Sequence, residues 1–492
     1  MNATDPASAA ARGLALLGGG REDEAVELLT TAVDRWPDDA ACWQGLALSH
    51  RAAEQLAPAV AAMARAAALA PADARIQQGL AQCRYEAGLR SRPDFERALA
   101  LAPGDDAVAQ GLVAAVAAED GPGAALALAK GRLSDRPDWL AGYWLVSRLT
   151  ATAGLDGAPD AAIAAAVGHR PADLALWQQW LAVAMQSKSW PRALDVVRSA
   201  RQRFPGDTAL AWNEAGILSE LGETAAADAL FRSFGPLPDL ASAIFICRHW
   251  LRTGQPEQVL QLHSMLDGPA GAEALYPYFG LAWRLLGDPR ATWLEPPELV
   301  GVYDLGEQLP PLEELAAFLR GLHRQVRQPL EQSVRGGTQT DAHLLLRADP
   351  IVQQLRQALV GAVERHRAQL PAIDPAHPQL RHARHRPIRF AGSWSVRLAG
   401  GGFHEEHVHP EGWFSSALYV ALPESLGQDG QAGWLTLGQP QQSLGLALGP
   451  TRVIEPRPGR LVLFPSTMWH GTVPFTSGER LTVAFDVAVP RG

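Results

Sequence analysis

Near the C-terminal end of the chain, His407-Val408-His409-Pro410, Trp469-His470 and Arg480-Leu481-Thr482 are residue types that bind metals and anions. Alternate residues of an extended chain face the same side, so His407 and His409 present two imidazoles together. His470 follows the apolar run Leu461-Val462-Leu463-Phe464 and adds a third. Three imidazoles on one side of a divalent ion leave its other positions open, as a catalytic centre needs and a structural one does not. Arg480 and Thr482 also share a face, where a guanidinium fork and a hydroxyl can take one carboxylate between them. A metal at one end of a pocket and this pair at the other suit a dicarboxylate that chelates through its far end. Tyr419, Arg397 and Ser416 are expected to help bind such a cofactor, with Trp394, Trp413, Trp434 and Trp469 as walls. His404-Glu405-Glu406 contains a second His-x-Glu pair, so Glu406 and Glu411 stay open as alternatives in completing the metal site.

These side chains need strands to carry them. Beyond Leu380 the pattern is strand-like, over Pro387 to Arg397, Ser415 to Leu422, Gly433 to Leu437, Gly459 to Phe464 and Arg480 to Val489. Short strands with Gly/Pro turns and no helix between them indicate a closed or double-layered antiparallel β fold. The spacing from His470 to Arg480 predicts a turn through Ser477-Gly478 and an antiparallel return. Upstream, Leu312 to Val326 and Pro350 to His366 read as amphipathic helices, separated by a polar, glycine-bearing loop from Ser333 to Thr340.

The first part of the chain is a repeat. Prolines closely followed by Asp recur at Pro37, Pro71, Pro103, Pro137, Pro171, Pro205 and Pro238, at intervals of 34, 32, 34, 34, 34 and 33 residues. An aromatic stands six residues after several of them: Trp43, Tyr143 and Trp177. Ala47, Ala59 and Ala66 are small where two helices must cross. This resembles the tetratricopeptide (TPR) pattern of helical hairpins, each burying its apolar face against its neighbours. Such a solenoid is expected to offer a groove for a protein or peptide.

Composition narrows the setting. A formal net charge of −9 and a pI near 5.9 give no basic surface for nucleic acid. Cys42, Cys83 and Cys247 share no CxxC spacing and read as buried packing residues. The N-terminus lacks a basic stretch followed by an apolar one, and no window reaches the ~18 apolar residues of a membrane span. A soluble, reducing, cytoplasmic setting is expected.

Four segments carry a family resemblance: Gly402 to Pro410 (GFHEEHVHP), Trp413 to Leu422 (WFSSALYVAL), Gly459 to His470 (GRLVLFPSTMWH) and Arg480-Leu481-Thr482. They resemble the 2-oxoglutarate- and iron(II)-dependent oxygenases, in particular a bacterial and phage group often fused to TPR repeats. The resemblance extends over about residues 300–490. It implies a double-stranded β-helix (jelly roll) with supporting helices, Fe(II) held by an H-x-D/E pair plus a distal His, and 2-oxoglutarate held by an R-x-S/T pair. His407 then matches the first ligand, His470 the distal one, and Arg480 with Thr482 the cosubstrate pair. At His409 the family has a carboxylate and this sequence an imidazole. The expected division is a TPR-like all-α solenoid over 1–290, a linker with supporting helices over 291–380, and an oxygenase core over 381–492. The expected function is a hydroxylase with catalytic residues His407, His409, His470 and Arg480, acting on a protein or peptide recruited by the solenoid. Two other readings fit the same residues: a three-His dioxygenase that does not use 2-oxoglutarate, and a non-enzymatic scaffold with a vestigial β domain.

Overall fold

The computed structural model describes residues 5–154, 157–265, 271–328, 330, 332–424, 426 and 430–490. From Pro6–Gly18 to Tyr276–Leu286 the chain is a succession of helices, each packed on the next in TPR-like hairpins. The repeated Pro-Asp signal has a local physical cause. Asp39, Asp73, Asp105, Asp173, Asp207 and Asp239 each cap a helix, their side chains accepting a first-turn amide N–H that has no partner within the helix. At Pro137 the cap position is Trp139 and makes no such bond. The aromatics six residues on then close the turn from the other side. Trp43 Nε1, Tyr143 Oη and Trp177 Nε1 donate to the carbonyls of Pro37, Pro137 and Pro171 at 2.8, 3.0 and 2.9 Å.

Close helix crossings rest on small residues. Ala47, Ala59 and Ala66 are fully buried, and a Cβ added at Gly111 would lie 2.2 Å from the Phe95 ring of the preceding helix. At Gly79 the same addition meets the flexible end of Met63 at 2.8 Å. Gly111→Ala is therefore expected to destabilise the protein by about 1–3 kcal/mol through overpacking, even after its gain in helix propensity. Gly79→Ala should cost less, and equal shifts in urea midpoint for the two would contradict this account. Cys42, Cys83 and Cys247 are free and buried, and burial pushes each thiol up to about 12.

The C-terminal region is an antiparallel β domain. Its strands are β1 (Gly301–Asp304), β2 (Val334–Gln339), β3 (Phe390–His404), β4 (Gly412–Ala421), β5 (Leu435–Leu437), β6 (Arg452–Ile454), β7 (Arg460–Pro465), β8 (His470–Thr472) and β9 (Arg480–Ala488). Six form one sheet in the order β1-β7-β4-β9-β3-β2, and β6-β5-β8 form a second. The segment expected as a polar loop, Ser333 to Thr340, is thus largely strand β2, paired with β3. β9 lies between β4 and β3, so the expected hairpin from His470 to Arg480 does not form, and the two residues come from different sheets.

Period two sorts the large sheet into two faces. Leu461, Leu463, Leu481, Val483, Phe485 and Val487 pack under the helices Leu312–Leu322 and Pro350–Gln369. Val462, Phe464 and Tyr419 face the other way, against Leu435, Leu437 and Ile454 of the small sheet. The space between the sheets holds the polar residues singled out above.

The solenoid is fastened to this domain along its length. Glu54 pairs with Arg356 at 2.7 Å and accepts the Phe390 N–H at 2.6 Å. Arg148 pairs with Asp341, and Lys188 with Glu405. Arg248 donates to Gln441 at 3.1 Å, and Arg284 to the carbonyls of Gly438 and Gly449. The surface expected to hold a partner is thereby shared with the β domain. Among the described residues, no helix is long and apolar enough to cross a membrane.

Candidate metal centre

His407, His409 and His470 converge, one ring nitrogen from each lying within 4.8 Å of the others. Backbone bonds set this approach. His407 and His470 exchange N–H···O bonds of 2.9 and 3.0 Å as an isolated antiparallel bridge, and His409 N donates to Ser466 O at 2.8 Å. Alternation turns the intervening residues outward. Val408 and Trp469 pack into the apolar cluster at the end of the solenoid, and Trp469 Nε1 donates to Pro277 O at 3.1 Å. The last helices of the solenoid therefore buttress both ligand segments from behind.

The ring nitrogens are sorted by their partners. His407 Nδ1 lies 2.7 Å from Glu405 O, and His470 Nδ1 lies 3.0 Å from Met468 O. His409 Nδ1 lies 2.8 Å from an Asp486 carboxylate oxygen. Carbonyl and carboxylate oxygens only accept, so each Nδ1 carries a proton and each Nε2 faces away from these partners. Ser333 Oγ stands 3.2 Å from His407 Nε2. Burial, then the neighbouring imidazoles, holds His407 well below the usual histidine range, and burial does the same for His470. Both are therefore neutral, and ready as ligands, at neutral pH.

Arg480 lies in the same cavity, together with Thr472, Thr482 and Asp486. Its side chain is 2 % exposed, and no carboxylate among the described residues pairs with it. Nη1 donates to Thr472 Oγ1 at 3.1 Å, the guanidinium carbon stands 5.1 Å from the centre of the Tyr419 ring, and Nε has no hydrogen-bond partner. The Tyr419 hydroxyl is buried beside the guanidinium. Burial lowers the affinity of Arg480 for its proton. A desolvated cation with an unused donor is costly unless an anion meets it.

The other expected residues separate. Ser416 lines the cavity, yet its hydroxyl donates to Phe485 O and accepts from Phe485 N, both at 2.8 Å, and so ties β4 to β9. Tyr419 packs on Arg480, as above. Arg397 is a correction. Parity on β3 sends it to the face opposite Val396 and Trp394, where it is exposed and paired with Glu479. Trp394 lines the cavity, whereas Trp413 is buried elsewhere with Nε1 on Gln379 O. Neither of the alternative ligands, Glu406 and Glu411, belongs to the cluster, and Glu405 between His404 and Glu406 pairs with Arg335 and Lys188. Asp486 and Thr472 were not anticipated. Period two along β9 marks Asp486, since Arg480, Thr482, Ala484 and Asp486 share one face. No comparable signal marks Ser333.

Residues 392–486 match the family model described as "Putative 2OG-Fe(II) oxygenase". The matched stretch runs from within β3 into β9, encloses the three histidines and Arg480, and ends on Asp486. A PKHD-type hydroxylase of Crocosphaera subtropica is 30% identical over 137 residues, 27% of this chain and 54% of that protein. The chain thus spans about half the length of the curated relative it matches. Among solved structures, pilF of Pseudomonas aeruginosa shares 15% identity at a TM-score of 0.30, covering 41% of this chain and 93% of its own. An O-GlcNAc transferase mutant of Thermobaculum terrenum shares 22% at 0.24, covering 29% and 27%. The sequence likeness to the oxygenase family thus lies in the C-terminal β domain, which follows a region of many helices.

Proposed function

We propose that the chain is a 2-oxoglutarate- and iron(II)-dependent hydroxylase whose β domain is a jelly roll and whose substrate is a polypeptide. The observation that carries this reading is Arg480, a buried guanidinium with an unused Nε in the cavity that also holds three convergent imidazoles. The donor set fits the group the family implies. His407, His409 and His470 would hold iron(II) through Nε2. With 2-oxoglutarate bound, that ion supplies the oxidising chemistry for hydroxylating a C–H bond.

The chain's own groups do the rest. Arg480 Nε and Nη1, with Thr472, Thr482 and the Tyr419 hydroxyl, orient the distal carboxylate of the cosubstrate. Phe464, Leu435 and Trp394 line the same cavity and exclude water from it. Asp486 supplies the negative charge that the family carries in the ligand set itself. Here it sits one bond further out, on His409 Nδ1, where it fixes the ring and raises its basicity.

The three-imidazole set also favours a second reading, a dioxygenase without 2-oxoglutarate. Calorimetry separates the two. Metal-loaded protein, with zinc(II) in place of iron and no oxygen, is expected to bind 2-oxoglutarate at one site. Absence of binding would overturn the 2-oxoglutarate reading.

A further inference from the structure

β2 is the outer strand of the large sheet, and among the described residues no strand pairs with its outer edge. Register fixes which backbone groups point outward. Thr340 N donates to Ser395 O at 3.0 Å, so Thr340 and Ser395 are a hydrogen-bonded pair. In an antiparallel ladder such pairs alternate with non-bonded ones. Thr338 opposite Arg397 is therefore bonded, while Gly337 opposite Leu398 and Gln339 opposite Val396 turn their N–H and C=O groups away from β3. The start of the strand is closed off. A bulge interrupts the register between Arg335 and Gly337, and Gln328 Oε1 accepts the Gly336 N–H at 2.9 Å. The opening begins after it, toward the pocket.

This edge faces a cleft against the solenoid. One cavity of about 920 Å³ is lined by Gly337 and Thr338 together with Thr150 and Ala151. A second of about 310 Å³ is lined by Gln339 and Trp394 together with Arg148. Gln339 and Trp394 also line the cavity of the three histidines, so the second space borders the metal centre. Gln325 lines both cleft cavities, and its Oε1 is buried without a partner. The cleft is thus elongated, walled by a strand edge on one side and a helix end on the other, and provided with an acceptor that has nothing to accept.

We infer that the substrate enters as an extended polypeptide segment that adds to the outer edge of β2 at Gly337 and Gln339, running between the sheet and the solenoid helix Leu140–Thr152. Main-chain hydrogen bonds to a sheet edge recognise extended backbone irrespective of sequence. Gln325 Oε1 takes a further N–H from the segment, and the end nearest Gln339 reaches the metal cavity. The inference rests on the oxygenase reading for what is done to the segment, and on the edge alone for where it binds.

The test uses the full chain, zinc(II)-loaded and without oxygen, on an array of short synthetic peptides of varied sequence. A captured peptide is then remade with single N-methyl groups at successive positions. Strand addition predicts that affinity falls about tenfold at alternate positions and little at those between, because only every second N–H faces β2. It also predicts that the Gly337 and Gln339 amides gain protection from hydrogen exchange when peptide binds. Gln325→Leu should weaken the peptide about fivefold. It should leave 2-oxoglutarate affinity unchanged, since Gln325 is outside that cavity. Capture of no peptide, equal loss at every N-methyl position, or unprotected Gly337 and Gln339 amides would each overturn the inference. Alternation without 2-oxoglutarate binding would sink the oxygenase reading and keep the strand site.

Discussion

Arg480→Ala is expected to weaken 2-oxoglutarate binding by about 30-fold or more while leaving metal affinity nearly unchanged. Loss of a desolvated, charge-assisted contact costs about 2–5 kcal/mol, which sets that factor. The guanidinium is held by Thr472 and the Tyr419 ring and spends nothing on a carboxylate, so its capacity is kept for a ligand. No ion-binding nitrogen touches it, which is why the two affinities should part. Calorimetry on metal-loaded wild-type and mutant protein, without oxygen, measures both. Equal 2-oxoglutarate affinities would show that the buried arginine serves the fold and not the cosubstrate.

His470→Ala should abolish the single high-affinity metal site. The ring is buried and its Nδ1 is bound to Met468 O, so no other donor on β8 can replace its Nε2. Asp486→Asn is the informative companion. An amide oxygen can still accept from His409 Nδ1, so ring orientation survives and the charge does not. Removing such an outer partner costs tenfold to a hundredfold in metal affinity, about 1.4–2.8 kcal/mol. Titration of apoprotein against a competing chelator reads both variants, with thermal melting as a check on folding. An unchanged site in His470→Ala would refute the three-histidine centre. Unchanged affinity in Asp486→Asn would mean that three neutral imidazoles suffice.

Much of this was legible in the sequence, because it depends on short-range rules. The proline spacing of the solenoid marks helix caps, and each cap is an Asp one or two residues past its proline. His407 and His409 face one way because any extended segment alternates. The same rule places Arg480 and Thr482 on one face of β9, and, carried two steps further, it would have found Asp486. Applied to β3 it would have removed Arg397, whose parity opposes that of Trp394 and Val396.

Which strands become neighbours was not legible. β5, β6 and β8 are three residues each, too short for a period to register, and β2 is hidden by Gly336 and Gly337, residues that read as loop. Residue types and alternation by themselves marked the candidate donors, their facing and the helical repeat, since caps and pleats act within a few residues. Only tertiary structure decided that His470 sits across from β9 in a second sheet, that Trp469 is held by Pro277 of the solenoid, and that β2 is an edge strand. Those outcomes turn on contacts between residues far apart in the chain, 192 positions in the case of Trp469 and Pro277, and no local pattern records the packing that selects them.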